Sequence, residues 1–387
     1  MTFNFDEEIQ RENTHSVKFD GRQNYFGTTD VSPLWVADMD FAVSTCVTDA
    51  LQKRMNHPIF GYTLYPDSIY QSIIDWFQRR HQWTIKREWI VFAPGVVPSL
   101  FAAVQAFSQE GEGVIVQPPV YFPFFSAVTT NNRKLINNPL REINGRYEID
   151  FDHLETCAKQ GARLLLLCTP HNPVGRVWSV DELNRVLEIA RRYDLTILSD
   201  DIHCDLVYSG ARHTMLGRLA EPGDKIVTTI APNKTFNIPG LGLSALIIPD
   251  AHCRKMMVKA FESLHVGNHN PFSIVAFEAA YRGGDEWLDA LMNYLKVTRD
   301  FVADVIAREI PRIRLIKPEA TYLLWLDCRE MGMSDPALRD FFIRQCKIGM
   351  NPGTVFGEGG SGFMRMNIGV RRSVIENALD VIKMNVA

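Results

Sequence analysis

Residues 163–201 read RLLLLCTPHNPVGRVWSVDELNRVLEIARRYDLTILSDD. Arg163 to Cys168 is a short, mostly apolar run that stops at Thr169-Pro170, a length and a boundary that suit a buried strand. Val180 to Tyr193 then sets Leu183, Val186, Leu187 and Ala190 at helical spacing, which gives that segment one apolar face. Leu195 to Ser199 is a second apolar run. Strand, helix and strand in this order form the crossover that joins parallel strands. Strands apolar on both faces need helices above and below them.

The alternation extends outward in both directions. Trp89 to Phe92, Gly113 to Gln117, Lys225 to Thr229 and Leu243 to Ile248 read as further buried strands. The pattern predicts an α/β fold with a mostly parallel central sheet flanked by helices, as a large domain over residues 46–284. Residues 1–45 lack clear periodicity and read as an irregular N-terminal arm that contributes part of a smaller domain. The rest of that α+β domain is expected over 285–387. It comprises a long helix at 285–309, strands near Ile313 to Lys317, Tyr322 to Asp327 and Phe363 to Ile368, a helix near Asp335 to Gln345, and a last helix. Gly357 to Gly362 reads as a mobile loop. No internal repeat or low-complexity linker interrupts the chain.

Composition narrows the function classes. The 387 residues are 46% hydrophobic and 22% charged, with a net charge of -4. Such a balance offers no basic excess for phosphate-dominated nucleic-acid binding. No apolar stretch reaches the roughly 20 residues of a membrane span, and Met1 to Gln10 does not resemble a signal peptide. Seven scattered cysteines without a Cys-x-x-Cys pair suit free thiols in a reducing cytoplasm. No metal site is expected: His265 and His269 are four apart, but Gly267 and Asn268 between them make a poor helical metal face. The nucleophile elbow and the dinucleotide-binding glycine motif are also absent.

In open α/β sheets ligands bind beyond the carboxyl ends of the strands, and three polar motifs fall there. Lys234 follows the apolar run Ile226 to Ile230, Asp200 ends another run 34 positions earlier, and Asn172 follows a third 28 positions before that. Each has an ordinary reading on its own: a solvated lysine, a helix cap, an Asn-Pro turn. Together, at successive strand ends, they outline a site.

With this spacing, the sequence resembles fold-type I pyridoxal-phosphate enzymes of the class I/II aminotransferase group. Within it the MalY/PatB cystathionine β-lyase-like branch is matched by Thr14 to Asp20, Leu34 to Phe41, Phe60 to Thr63, Pro119 to Tyr121, His171 to Trp178, Ser199 to His203 and Ala320 to Leu323. The resemblance implies that pyridoxal 5'-phosphate is carried as a Schiff base on Lys234, which then serves as the base at the substrate's Cα. Asp200 would pair with the ring nitrogen, Asn172 would bond the phenolic oxygen, and Tyr121 would stack on the ring. His203 stands where many aminotransferases have tyrosine. The amides of Gly95, Val96 and Val97 would cradle the phosphate at a helix start running from Pro98 to Ser108. Tyr62 would reach the phosphate from a neighbouring subunit, which implies a homodimer with shared sites. Arg365 would grip the substrate carboxylate, since its planar fork matches a carboxylate, with Trp35 and Ala37 lining the pocket and the Ala37 amide assisting.

Three departures from the branch stand out. Phe122 replaces a second tyrosine, Asn233 replaces a phosphate-binding serine before the lysine, and Ile368-Gly369-Val370-Arg371 replaces a Cys-Pro-Arg continuation. The implied activity is cleavage of L-cystathionine or related cysteine S-conjugates to thiol, pyruvate and ammonia. An aminotransferase would use the same residues, and a regulatory protein-binding role is a reading of another class.

Overall fold

In the computed structural model, which describes residues 3–267 and 270–386, a seven-stranded sheet forms the centre of the molecule. Its strands lie in the order Ile90–Ala93, Ser244–Ile247, Ile226–Ile230, Thr196–Asp200, Ala162–Cys168, Gly113–Val116 and Lys134–Asn137. Ser244–Ile247 is antiparallel to both neighbours, and the other six run in one direction. The mostly parallel sheet is therefore as expected, with strand ends shifted by at most one residue. Lys134–Asn137 is an addition. It is an edge strand with only Ile136 buried, so it lacks the continuous apolar run that marks the inner strands.

The inner strands are buried along nearly their whole length because helices cover both faces. Val180–Tyr193 shows why those helices form. Ser179 accepts from the Glu182 amide while Glu182 reaches back to the Ser179 amide, closing a capping box that satisfies two otherwise orphaned donors. Leu183, Val186, Leu187 and Ala190 then face the core. Each fully buried leucine or valine there contributes about 1.5–3 kcal/mol. The helix ends at Asp194, in the left-handed region at φ 54°.

A second, four-stranded antiparallel sheet orders Arg314–Ile316, Leu323–Asp327, Phe363–Asn367 and Asn351–Pro352. It packs with the long helix Asp285–Glu309 and the last helix Arg372–Val386. Its core includes Trp325 stacked on Phe363 with ring centroids 5.0 Å apart. The expected helix near 335–345 changes character midway, from α over Asp335–Asp340 to a π turn over Phe341–Gln345.

Two expectations need correction. The N-terminal segment is not irregular throughout: it folds into short helices at Val17–Asp20 and Arg22–Phe26, and Ser32–Pro33 pairs with Ile348–Gly349. Lys18, fully buried, lies 3.0 Å from Asp40, and Arg11 bonds Asp38 and Asp40. This cluster fastens the segment down, through side-chain contacts that carry no periodicity. The glycine-rich stretch 357–362 is likewise held. The Gly362 amide and the Ser361 hydroxyl both donate to Asp335, at 2.7 and 2.8 Å, so the loop is pinned to the start of a helix. His269, one of the two histidines weighed as metal ligands, lies outside the described residues.

Candidate active site

Sheet register builds the site. Cys168, Asp200 and Thr229 are aligned across three parallel strands, so the loops that follow them emerge side by side. They border a cavity of about 300 Å³ lined by Ala37, Val96, Val97, Tyr121, Asn172, Asp200, His203, Asn233 and Lys234, with Cys168, Ile202 and Pro239. Residues far apart in the chain thus converge as the spacing suggested.

Lys234 sits in a single helical turn, Pro232–Thr235, that begins with proline directly after strand Ile226–Ile230. Proline fits this first position because the turn requires no amide donor there. The lysine amine donates to the Ala37 carbonyl at 2.6 Å, and the Tyr322 hydroxyl donates to the same oxygen at 2.9 Å. Burial and the positive charge of Arg365 lower the Lys234 pKa to about 8, against the opposing pull of Asp38 and Asp200. Asp200 is buried and accepts one backbone bond, from Ile202 at 3.2 Å. Burial, reinforced by the adjacent Asp201 charge, raises its pKa to about 7. A carboxylate in that position gains from a cationic partner in the cavity.

His203 is buried, its Nδ1 has no hydrogen-bond partner, and its ring lies 6.3 Å from Tyr322. Burial, then the charges of Lys234 and Arg365, lower its pKa to about 3, so the imidazole is neutral near pH 7. The amide of Tyr121 donates to the Asn172 carbonyl at 3.1 Å, which fixes the aromatic ring at the cavity wall. Burial raises the Tyr121 hydroxyl's pKa. Phe122, beside it at 4.9 Å between rings, is about half exposed.

Arg365 lies on strand Phe363–Asn367 and is 3% exposed. It donates to Asn172 Oδ1 at 3.0 Å, to the Trp35 carbonyl at 3.0 Å and to Asn351 Oδ1 at 2.8 Å, while its Nε has no partner. All these partners are neutral, and burial lowers its pKa to about 10. Trp35 contributes its carbonyl here. Its indole instead donates to the Lys18 carbonyl and stacks on Tyr25. Helix Val96–Phe107 starts two residues earlier than expected, with Gly95 as its N-cap in extended geometry. Its first amides have no partner within the helix and begin at the cavity wall.

Gly95, Trp35 and Arg365 do not themselves line the cavity, although Arg365 bonds its wall residue Asn172 and the Trp35 carbonyl. Tyr62 is not brought to it by this chain. It is fully exposed, in a segment where Ile59, Phe60 and Leu64 are exposed too. Arg371 pairs with Glu8 at 3.1 Å. Sequence reading also missed residues that hold the site together. Asn237 bonds the Met39 amide and the Met39 and Phe41 carbonyls through its side chain, clamping the lysine turn to the segment that carries Ala37. Its place three residues after Lys234 was the available signal.

The cavity's chemistry fits pyridoxal phosphate. A primary amine of lowered pKa suits an aldehyde, a buried carboxylate suits a protonated ring nitrogen, and an open helix start suits a phosphate. Asn233 stands at the cavity wall with its Oδ1 buried and unpaired; its NH2 group, not that oxygen, is the part that suits a phosphate.

The family model for aminotransferase class I and II matches residues 29–382. The chain is 42% identical over 382 residues to cystathionine beta-lyase PatB of Bacillus subtilis, covering 98% of this chain and 99% of the relative. Among solved structures it is similar to cystalysin from Treponema denticola, which contains a pyridoxal 5'-phosphate cofactor. That match has a TM-score of 0.96 and 36% identity over 100% of this chain and 99% of the other. The pyridoxal-phosphate-bound C–S lyase from Staphylococcus hominis matches with a TM-score of 0.93 and 33% identity, over 100% and 99% of the two chains.

Proposed function

The chain belongs to the class I and II aminotransferase family, and we propose that within it the chain is a pyridoxal-phosphate-dependent carbon–sulfur β-lyase. Its substrate would be L-cystathionine or a related cysteine S-conjugate, yielding thiol, pyruvate and ammonia. The observation that carries this reading is one cavity joining the Lys234 amine and the Asp200 carboxylate, with Arg365 bonded to its wall residue Asn172. Likeness to PatB and to cystalysin along nearly the whole chain supports the reaction type.

When bound, the cofactor supplies an aldehyde for an amine and a ring that withdraws electron density from the substrate's Cα. Lys234 would hold it, with Asp200 at the ring nitrogen, Asn172 at the phenolic oxygen and Tyr121 against the ring. The amides of Gly95, Val96 and Val97, with Asn233, would receive the phosphate. His203, neutral, would lie beside the ring without adding charge.

Arg365 orients the amino acid by its α-carboxylate, which places the Cα proton near Lys234. A pKa of about 8 leaves about a quarter of the amine neutral at pH 7.5, against roughly one part in a thousand for an ordinary lysine. Once the substrate's amine has taken its place on the cofactor, the freed Lys234 amine would be a competent base for that proton. The electron pair released at Cα forms a double bond to Cβ as the C–S bond breaks, the sulfur leaves as a thiolate with the bonding pair, and water hydrolyses the remaining three-carbon enamine to pyruvate and ammonia. In the alternative, transamination, the proton would be returned to the cofactor side.

The exposed apolar segment around Tyr62 supports a homodimer in which each subunit lends Tyr62 to its partner's phosphate. A cytoplasmic location fits the seven free thiols. Among the described residues no helix is long and apolar enough to cross a membrane. The deciding experiment supplies L-cystathionine to the purified holo-protein and follows pyruvate with and without a 2-oxo acid. Pyruvate without an acceptor is expected, and turnover only with an acceptor would establish the transaminase instead.

A further inference from the structure

Arg365 is a buried guanidinium whose hydrogen-bond partners among the described residues are neutral, and one of them is its cross-strand neighbour. Asn351 on the short strand Asn351–Pro352 is in register with Arg365, is 5% exposed, and accepts from Arg365 Nη2 at 2.8 Å. Its amide nitrogen donates to the Tyr25 hydroxyl at 3.2 Å. Tyr25 in turn is stacked on Trp35 with centroids 4.2 Å apart, and the Trp35 carbonyl is the other acceptor on the same guanidinium nitrogen. The two acceptors on Nη2 are thus held by one small assembly: Asn351 through its bond to Tyr25, and the Trp35 carbonyl through the ring stack.

We propose that Asn351 is a positioning residue for substrate recognition, holding Arg365 by a neutral hydrogen bond so that its charge stays available to the substrate's α-carboxylate. The inference rests on the carboxylate-binding role of Arg365 given above. A side chain at this position has to accept a hydrogen bond, since an apolar one would leave a guanidinium donor unpaired in a buried site. It also has to be uncharged. A carboxylate of the same size, 2.8 Å from Nη2, would form a permanent ion pair and compete with the incoming substrate for the same cation. Asparagine meets both conditions. Tyr25 selects the amide's orientation by accepting from its nitrogen, which turns the oxygen toward Arg365.

The test compares Asn351→Asp, Asn351→Ala and Arg365→Ala with the wild type as purified holo-proteins. It measures kcat and KM for L-cystathionine, the cofactor's visible spectrum and the melting temperature. Asn351→Asp is expected to raise KM by about tenfold or more while kcat stays within roughly threefold, because the grip on the α-carboxylate is made equally in the bound substrate and in the transition state. Asn351→Ala removes the hold without adding a competitor and is expected to raise KM by a smaller factor. Spectrum and cofactor occupancy should match the wild type in both, since Asn351 does not line the cofactor cavity.

A wild-type KM in Asn351→Asp would overturn the proposal. So would a larger KM effect from Asn351→Ala than from Asn351→Asp, or a loss that falls on kcat and cofactor retention instead of KM. Should Asn351→Asp fail to fold, Asn351→Ala decides: a raised KM supports the proposal and an unchanged one removes it. Arg365→Ala separates the two claims. An unchanged KM in that variant defeats the carboxylate reading itself, whereas a raised KM there with normal behaviour of Asn351→Asp defeats only the role of Asn351.

Discussion

Replacing Asp205 with alanine should unsettle the lysine turn from beneath. The Asp205 side chain is 2% exposed and accepts three hydrogen bonds: from His81 Nε2 at 2.7 Å, Trp76 Nε1 at 3.1 Å and Thr235 Oγ1 at 3.0 Å. Thr235 is the residue next to Lys234, so this carboxylate ties the turn to helix Asp67–His81. Burial works against its ionised form, but the His81, Thr235 and Trp76 donors outweigh that and hold its pKa below the ordinary value of 3.8. Alanine would strand three buried donors, each worth about 1–2 kcal/mol. The total is about 3–6 kcal/mol. It is a large share of the roughly 5–15 kcal/mol that stabilises a folded protein. Urea unfolding of wild type and variant, followed by tryptophan fluorescence, measures the gap. Because the folded pKa is depressed, the carboxylate's contribution is present above the unfolded value and is lost as pH falls through the folded one. The gap should therefore be full near neutrality and narrow in acid. A gap below about 1 kcal/mol would refute the reasoning, and so would one that widens on acidification.

Two further outcomes follow from the same geometry. In cofactor-free protein, the Lys234 amine should be acylated with an apparent pKa of about 8. Arg365→Leu should raise that value by lifting a nearby positive charge; a value near 10.5 in the wild type would contradict the burial argument. If the subunits share sites, mixing inactive Tyr62→Ala and Lys234→Ala proteins should restore up to about a quarter of wild-type sites through hybrid dimers. No recovery after subunit exchange would place Tyr62 outside the partner's site.

Much of this was legible in the sequence because parallel strands convert chain spacing into spatial neighbourhood. Asn172, Asp200 and Lys234 each follow an apolar run, and the sheet register sets those runs side by side. What stayed hidden depends on contacts between distant segments. Tyr322 meets Lys234 only through the Ala37 carbonyl, and Asn351 faces Arg365 through a two-residue strand too short to leave a pattern. Asp205 follows the Ser199 to His203 motif, but its partners come from helix Asp67–His81 and the lysine turn. The edge strand Lys134–Asn137 escaped for a related reason: it is half solvated, so apolar continuity does not mark it. Trp35 shows the opposite limit, since its segment was expected at the site but its backbone oxygen, not its indole, reaches Arg365.

The central claim is that Lys234 carries the cofactor, and the most direct measurement is chemical. Treating the holo-protein with borohydride fixes the cofactor to whichever amine holds it, and peptide mass spectrometry then locates the adduct. The account predicts the modification on the peptide containing Lys234 and none in Lys234→Ala. An adduct on another lysine, or a coloured holo-protein that yields none, would contradict it.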